Sequence, residues 1–491
     1  MAASAHRRRD SDGDGALIEA DLQRLITDSL LLWGVWGHCA WTDDGLLVST
    51  VLGRRVLVRR AIEVERPARW IMQILEVKGG AAGPDRSAGS IVGLLVALRK
   101  ALGVAQAGGR GLRIVPSGSP ASPQPPRETQ IRRTEPASSD DPASSPRELA
   151  EPTPVSIVTG FLGSGKTTFI QKVLRDPRFA RTAVIVNEFG EVGLDHDVLA
   201  SSSDALIQLS TGCLCCAIRS DLIETLLDLH RRRADGEVNF ERIIIETSGL
   251  ADPVPILQSL MTDKAVATQF NLDRVLTLVD AVHGPATVTT HVEARRQIAV
   301  ADRILVTKTD VTEPSAPLLD ELRALNPNAP HAFAIQDAAT LDWLIECDSS
   351  RDARRAAEIV VLRDSAPRHT GSLETITFVS ASPIPAVALT LFLQALADHA
   401  GDRLLRVKGL IQVAEMPDQP ALVHGVQHVF AAPEWLEVWP SHERHTRIVF
   451  IGASIPRRWP ERLLEAVTED VLEAQRLAFA NAPRRPTAVS R

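Results

Sequence analysis

The chain has 491 residues, with 54 Lys and Arg against 61 Asp and Glu, a formal net charge of −7, which gives no reason to expect a nucleic-acid partner. No apolar run reaches membrane-spanning length. The best candidate, residues 25–41, contains Thr27, Asp28 and His38 and reads as core, so no membrane partner is expected. Five cysteines, a low and odd number, argue against a disulfide framework, and the acidic stretch after Arg7, Arg8 and Arg9 replaces the apolar segment of a secretory signal, so the cytoplasm follows by elimination.

Residues 1–16 read as a disordered tail. Residues 17–104 read as a folded accessory module of no recognised family, with helical periodicity over 17–32 and 90–102 and a strand at 54–58. Trp33, Trp36, Trp41 and Trp70 fall here, half of the eight tryptophans, and core placement is the simplest role for them. His38 and Cys39 form an adjacent pair, which is more simply structural than metal-binding. Residues 105–153 lose apolar periodicity and are rich in Pro, Ser, Ala, Arg and Glu. This stretch reads as a tether that lets the module move independently.

From residue 154 the chemistry begins. Residues 155–159 form an apolar strand pattern, followed by Gly160-Phe161-Leu162-Gly163-Ser164-Gly165-Lys166-Thr167 and a helical stretch from Thr168. Gly160, Gly163 and Gly165 let the backbone curl its N–H groups toward phosphate oxygens. Lys166 reaches the β- and γ-phosphates, and the Thr167 hydroxyl suits Mg²⁺. Residues 184–195 give a strand and then an acidic, Gly-containing loop, Asn187-Glu188-Phe189-Gly190-Glu191-Val192-Gly193-Leu194-Asp195, placed where a nucleotide-sensing switch belongs. Glu188, Glu191 and Asp195 are candidates there for Mg²⁺, the catalytic water or a transferred metal.

Next comes Gly212-Cys213-Leu214-Cys215-Cys216, leading into an amphipathic helix with Leu222, Leu226 and Leu229 on one face. Three thiols in four positions are soft ligands for Zn²⁺, Co²⁺ or Cu⁺. Adjacent residues point in different directions, so Cys213 with one of Cys215 and Cys216, completed by a carboxylate or His, is the easier geometry. An incomplete site of this kind suits transfer better than a closed four-cysteine structural site would. A buried cluster of small apolar side chains is the alternative to metal ligation.

Residues 242–246 form an apolar strand ending in Glu246, the acidic group expected at the carboxyl edge of a parallel strand. It is suited to orient Mg²⁺ or the attacking water, and Gly249 brings a backbone N–H toward the γ-phosphate. Residues 303–307 form another strand, running into Thr307-Lys308-Thr309-Asp310. Asp310 can accept two hydrogen bonds from guanine, Lys308 can lie along the base, and Thr307 stands where the usual guanine motif has Asn. No residue reads as an arginine finger, so slow turnover is expected.

In order, G-F-L-G-S-G-K-T-T, N-E-F-G-E-V-G-L-D, G-C-L-C-C, E-T-S-G-L-A-D-P and T-K-T-D resemble the CobW-type family of metallochaperone GTPases, relatives of the hydrogenase and urease nickel-insertion GTPases. The resemblance covers residues 154 to 470 and includes Arg406-Val407-Lys408-Gly409, similar to the family's R-x-K-G segment. It implies GTP hydrolysis coupled to transfer of a transition metal to a client metalloprotein by a monomer or homodimer. It also implies phosphate and Mg²⁺ binding by residues 160–168 and metal carriage by Cys213, Cys215 and Cys216 with Glu191. Glu246 becomes the acidic strand-end group, and Lys308 and Asp310 select guanine. The donor set suits Zn²⁺ first and Co²⁺ next. The thirteen His are dispersed, which leaves a metal-storage role unsupported.

The expected fold is α/β. A P-loop GTPase domain at 154–365 has a mainly parallel sheet of strands at 155–159, 183–187, 242–246, 274–279 and 303–307. A smaller α+β domain follows at 366–477, with strands at 373–380, 404–413, 421–430 and 446–452, helices at 385–398 and 459–475, and a tail at 478–491. His424 and His428 share a face of the third of those strands, although core or surface placement is simpler than metal ligation. Two alternative functions remain. A P-loop kinase or other phosphotransferase has no use for the thiols or for T-K-T-D. A structural zinc protein with a nucleotide-stabilised assembly would unfold on chelation.

Overall fold

A computed structural model describes residues 9–62, 68–76, 84–104, 113–115, 152–186, 206–208, 215–333, 341, 373–440 and 442–480. The amino-terminal module opens with a long helix, α1 (Arg9–Leu32), that begins inside the expected tail. Five antiparallel strands follow in meander order: β1 (Gly37–Thr42), β2 (Gly45–Thr50), β3 (Arg55–Arg60), β4 (Trp70–Glu76) and β5 (Arg86–Ala88). Helix α2 (Ile91–Ala101) closes the module, capped by the Ser90 hydroxyl, which accepts from the Gly93 N–H at 3.1 Å. Alternation fixes the sheet's inner face: Leu46, Val48, Val56 and Val58 are fully buried. Periodicity marked both helices and β3. The other four strands carry Ser, Thr, Gln and His between their apolar positions, which blurs a period of two. Trp33 and Trp70 are core as expected, while Trp36 is 84% exposed.

The central unit is a seven-stranded sheet, in the order β13-β12-β11-β7-β10-β8-β9, paired in parallel throughout. Its strands are β7 (Thr153–Gly160), β8 (Thr182–Val186), β9 (Leu206–Gln208), β10 (Arg242–Glu246), β11 (Phe270–Asp280), β12 (Arg303–Thr307) and β13 (His331–Phe333). Connecting helices cover both faces: α3 (Lys166–Leu174), α4 (Cys215–Ala234), α5 (Val254–Thr262), α6 (Lys264–Gln269), α7 (Gly284–Thr290), α8 (Val292–Ala299) and α9 (Ala316–Leu325). One core gathers Val155, Ile157, Ile243 and Ile245 with Leu222, Leu226 and Leu229 of α4. The other gathers Val158, Ile244 and Leu276 with Phe169 and Val173 of α3. This is the doubly wound arrangement the alternating pattern predicted, and parallel strands buried on both faces explain their uninterrupted apolar runs.

The third unit holds β14 (Leu373–Ser380), helix α10 (Ala386–Ala400), β15 (Leu404–Val413), β16 (Met416–Val426), β17 (Val429–Ala431), β18 (Glu434–Trp435), β19 (Thr446–Ala453) and helix α11 (Trp459–Ala480). The strand expected over 421–430 is broken at Gln427, whose φ of 55° makes a tight turn. His424 lies on β16 and His428 falls in that turn, so the two do not share a strand face. Residues 113–115, inside the stretch read as a tether, form β6 (Arg113–Val115), which pairs in parallel with β17 at the sheet edge.

The carboxyl-terminal sheet is buried on both sides, and its alternation shows how. In β19, Ile448 and Phe450 enter a core shared with the amino-terminal module, while Val449 and Ile451 enter the core of the central unit. The module is therefore docked rather than loosely tethered. Trp459 donates its indole N–H to the Ser29 hydroxyl at 2.9 Å, Arg462 pairs with Asp28, and Arg69 reaches Asp470 at 3.1 Å and Glu473. On the opposite side, Arg406 and Lys408 of the R-x-K-G segment converge on Asp302, at the amino end of β12.

Candidate functional site

Parallel pairing puts the carboxyl ends of the inner strands along one edge. The register runs level from Gln208 through Val186 and Glu246 to Val158. Open α/β sheets bind ligands at this edge, and the described candidate residues of three motifs, the phosphate loop, the Glu246 segment and Thr307–Asp310, gather there.

The phosphate loop joins β7 to α3. Gly165 caps α3 with φ 90°, a left-handed conformation that avoids a Cβ penalty only in glycine. Lys166 is 5% exposed, and its ammonium donates to the Gly160 carbonyl at 2.9 Å and the Phe161 carbonyl at 3.3 Å. The loop thus holds its own cation in place. The α3 amino terminus supplies backbone donors beside it, an arrangement that favours phosphate. Ser164 is buried and Thr168 is exposed on the first turn of α3.

Glu246 ends β10, 1% exposed, and its Oε1 accepts the Thr167 hydroxyl at 3.0 Å. The two groups expected to share a cation therefore meet. Thr247 donates to the Thr159 hydroxyl at 2.8 Å and ties β10 to β7. Beyond them, Gly249 lies so close to the phosphate loop that a Cβ there would come within 2.6 Å of the Leu162 nitrogen. Gln297 donates to the carbonyls of Gly249 and Ala251 at 3.1 and 3.0 Å, and Asp252 pairs with Arg296 at 2.7 Å. Helix α5 follows immediately and packs on β16, β17 and β6, with Gln258 bonded to Gln427 at 2.6 Å.

The loop expected to read the base follows β12. Thr307 donates its hydroxyl to the Ser164 carbonyl at 2.8 Å, linking this loop to the phosphate loop. Lys308 has φ 56° and pairs with Asp280 at 2.7 Å. Asp310 is exposed. Asp280 is the residue that sequence reasoning missed. Burial opposes its ionisation, but the Lys308 ammonium and the N–H groups of Val282 and His283 outweigh that and hold its carboxyl below the usual range. The available signal was an acidic residue at the carboxyl end of a parallel strand, the same signal that marked Glu246.

Cys215 and Cys216 are the first two residues of α4, entered from the carboxyl end of β9. Glu188, Glu191, Asp195 and Cys213 lie outside the described residues, as do the side chains of Cys215 and Cys216. Among the described residues no group of three or more His, Cys, Asp and Glu is placed to hold a metal ion, and no helix is long and apolar enough to cross a membrane.

Comparison with known proteins matches both of the larger units. A sequence model for the CobW/HypB/UreG nucleotide-binding domain matches residues 154–333. A second, for the cobalamin synthesis protein cobW C-terminal domain, matches residues 373–468. The zinc chaperone YjiA of Escherichia coli (strain K12) is 31% identical over 305 residues, covering 62% of this chain and 95% of the relative. The zinc chaperone CobW of Sinorhizobium sp is 30% identical over 338 residues, covering 61% and 92%. The zinc-regulated GTPase metalloprotein activator 1 of Saccharomyces cerevisiae (strain ATCC 204508 / S288c) is 31% identical over 233 residues, covering 42% and 53%. Among solved structures, a Zn(II)-bound triple mutant of the YjiA GTPase superposes with a TM-score of 0.50 at 28% identity, covering 64% of this chain and 98% of that one.

Proposed function

The chain belongs to the CobW/HypB/UreG family, a GTPase of the metallochaperone class, and from that membership we propose that GTP governs its hold on Zn²⁺ at Cys213, Cys215 and Cys216 and the ion's passage to a client metalloprotein. The observation that carries this reading is the level register from Glu246 to Gln208. At a strand spacing of about 4.8 Å, β9 leaves the sheet about 10 Å from Glu246, and the thiol-bearing connection starts there. The nucleotide edge and the start of the thiol-bearing connection then belong to one edge of one sheet. The zinc-chaperone names of the YjiA and CobW relatives favour Zn²⁺ over Co²⁺ as cargo.

Each described residue has a part in this account. Loop N–H groups and Lys166 hold the phosphates. Thr167 and Glu246 fit a resident Mg²⁺, since a half-buried hydroxyl and a buried carboxylate already meet at 3.0 Å beside the loop. Bound there, Mg²⁺ would neutralise charge on the β- and γ-phosphates. Glu246 orients the attacking water, together with Glu191 of the acidic loop. Gly249 offers its N–H to the γ-phosphate. The segment after it leads directly into α5, which rests on the carboxyl-terminal sheet, so loss of the γ-phosphate is transmitted to that surface as well as to the acidic loop.

Comparing GTP with ATP hydrolysis, in the wild type and in Cys213→Ala, tests the reading against a phosphotransferase. The account expects strong GTP preference, phosphate release to water in both proteins, and weaker Zn²⁺ retention in Cys213→Ala alone. Phosphoryl transfer to a small-molecule acceptor, or Zn²⁺ retention unchanged by the substitution, would refute it. Chelation that unfolds the protein would favour a structural zinc site instead.

A further inference from the structure

We propose that Asp280 is a positioning residue for base selection, holding the Lys308 ammonium away from Asp310 so that Asp310 stays free to read guanine. Asp280 ends β11 in direct register with Thr307. Both of its carboxylate oxygens are engaged. One accepts Lys308 Nζ at 2.7 Å and the other accepts the Val282 N–H at 2.7 Å. The second bond fixes the carboxylate on its own turn, so the first gives Lys308 a rigid anchor. Asp280 is 7% exposed, which strengthens the pairing relative to a surface ion pair.

Lys308 holds φ 56°, a conformation that a long side chain adopts only where its surroundings impose it. With its Cα fixed by the loop and its ammonium fixed on Asp280, the aliphatic stem is held at both ends. It becomes an apolar ribbon on which a purine face can lie. Asp310 stands two residues on and is exposed. Without its anchor, the Lys308 ammonium would be released to pair with the exposed carboxylate two residues on, that of Asp310. An ion pair there would occupy the acceptor oxygens that guanine N1–H and the 2-amino group require. It would leave adenine, which offers no matching pair of donors, little affected. Asp280 therefore sets the discrimination between the bases rather than the rate of phosphate chemistry.

This inference rests on the reading of Lys308 and Asp310 as the base-contacting pair, so Asp310→Asn is measured beside it. The test uses the full chain carrying Asp280→Asn, whose amide oxygen still accepts from Val282. Steady-state hydrolysis of GTP and ATP, binding of fluorescent GDP and ADP, and thermal unfolding are measured. The expected result is a KM for GTP raised about tenfold, the loss of one charge-assisted contact, with kcat changed less than threefold and GTP-over-ATP preference reduced about tenfold. Asp280→Glu should recover part of that preference. Adding Lys308→Met to Asp280→Asn should recover some of it as well, because the competing ammonium is gone. A GTP preference unchanged in Asp280→Asn would overturn the proposal, and so would equal losses for both bases, which mark a merely structural role. If Asp310→Asn also leaves GTP preference intact, the base-contacting assignment fails and the proposal falls with it.

Discussion

The Thr307 hydroxyl donates to the Ser164 carbonyl across 2.8 Å, so the threonine that stands in place of the usual asparagine ties the loop proposed to read the base to the phosphate loop. One neutral hydrogen bond contributes about 1 kcal/mol, or about a fivefold change in affinity. Thr307→Ala should weaken GTP and GDP binding by about that factor, and Thr307→Ser should restore it. Equilibrium titration with fluorescent GDP checks both, and an unchanged affinity in Thr307→Ala would show that the tie does nothing for the nucleotide.

Glu246 and Thr167 should separate chemistry from binding. Glu246→Gln keeps an oxygen acceptor for the Thr167 hydroxyl but loses the negative charge. Single-turnover hydrolysis should fall about 100-fold with GTP affinity altered only a few-fold. A larger loss in affinity than in rate would place Glu246 in ground-state binding instead.

His399 makes the docked amino-terminal module sensitive to acid. It is 3% exposed between Trp33 and Trp459, with ring centroids at 5.4 and 6.5 Å, and neither ring nitrogen has a hydrogen-bond partner among the described residues. Burial, followed by the nearby Arg99 charge, lowers its pKa to about 3. The unfolded chain therefore binds a proton that the folded chain refuses. Stability is full above pH 6.5 and falls with pH below it, by about 2 kcal/mol between pH 6.5 and 5. Urea unfolding at pH 7 and pH 5 should show this loss in the wild type and not in His399→Gln. Carboxylates with raised pKa, such as Asp28 and Asp470, are common to both proteins and cancel in that comparison.

Asp302 binds the carboxyl-terminal sheet to the central one. Its carboxylate accepts the Val275 N–H at 2.8 Å and faces Arg406 at 2.6 Å and Lys408. Burial alone would raise its pKa, but these cations hold it far below the carboxylate range. Asp302→Ala removes the carboxylate that the two cations share in a largely buried setting, a loss of about 3–5 kcal/mol. Chemical unfolding measures it, and a change under 1 kcal/mol would mean that the two cations find other partners.

The sequence was most readable where strands lie buried in parallel and where glycine, lysine and acidic residues mark phosphate chemistry. The central strands fall within a few residues of their expected places, because Ile243, Ile244 and Ile245 must all be buried. The amino-terminal sheet was less readable. Its strands present one face only, and His38, Ser49 and Gln73 interrupt the apolar pattern. The docking of the module could not be read at all, since Ser29 and Trp459 meet across 430 positions. Nor could the pairing of Lys308 with Asp280, for the two are 28 residues apart and neighbours only through β11 and β12.

The dissociation rate of Zn²⁺ from the full chain, followed with a chromophoric chelator, tests the central claim most directly. It should be measured with GDP and with a non-hydrolysable GTP analogue, in the wild type and in a variant with Cys213, Cys215 and Cys216 all changed to Ser. The account predicts thiol-dependent Zn²⁺ that leaves at least tenfold faster with GDP, a coupling of about 1.4 kcal/mol or more. Equal rates in the two nucleotide states, or Zn²⁺ bound equally well by the variant, would contradict it.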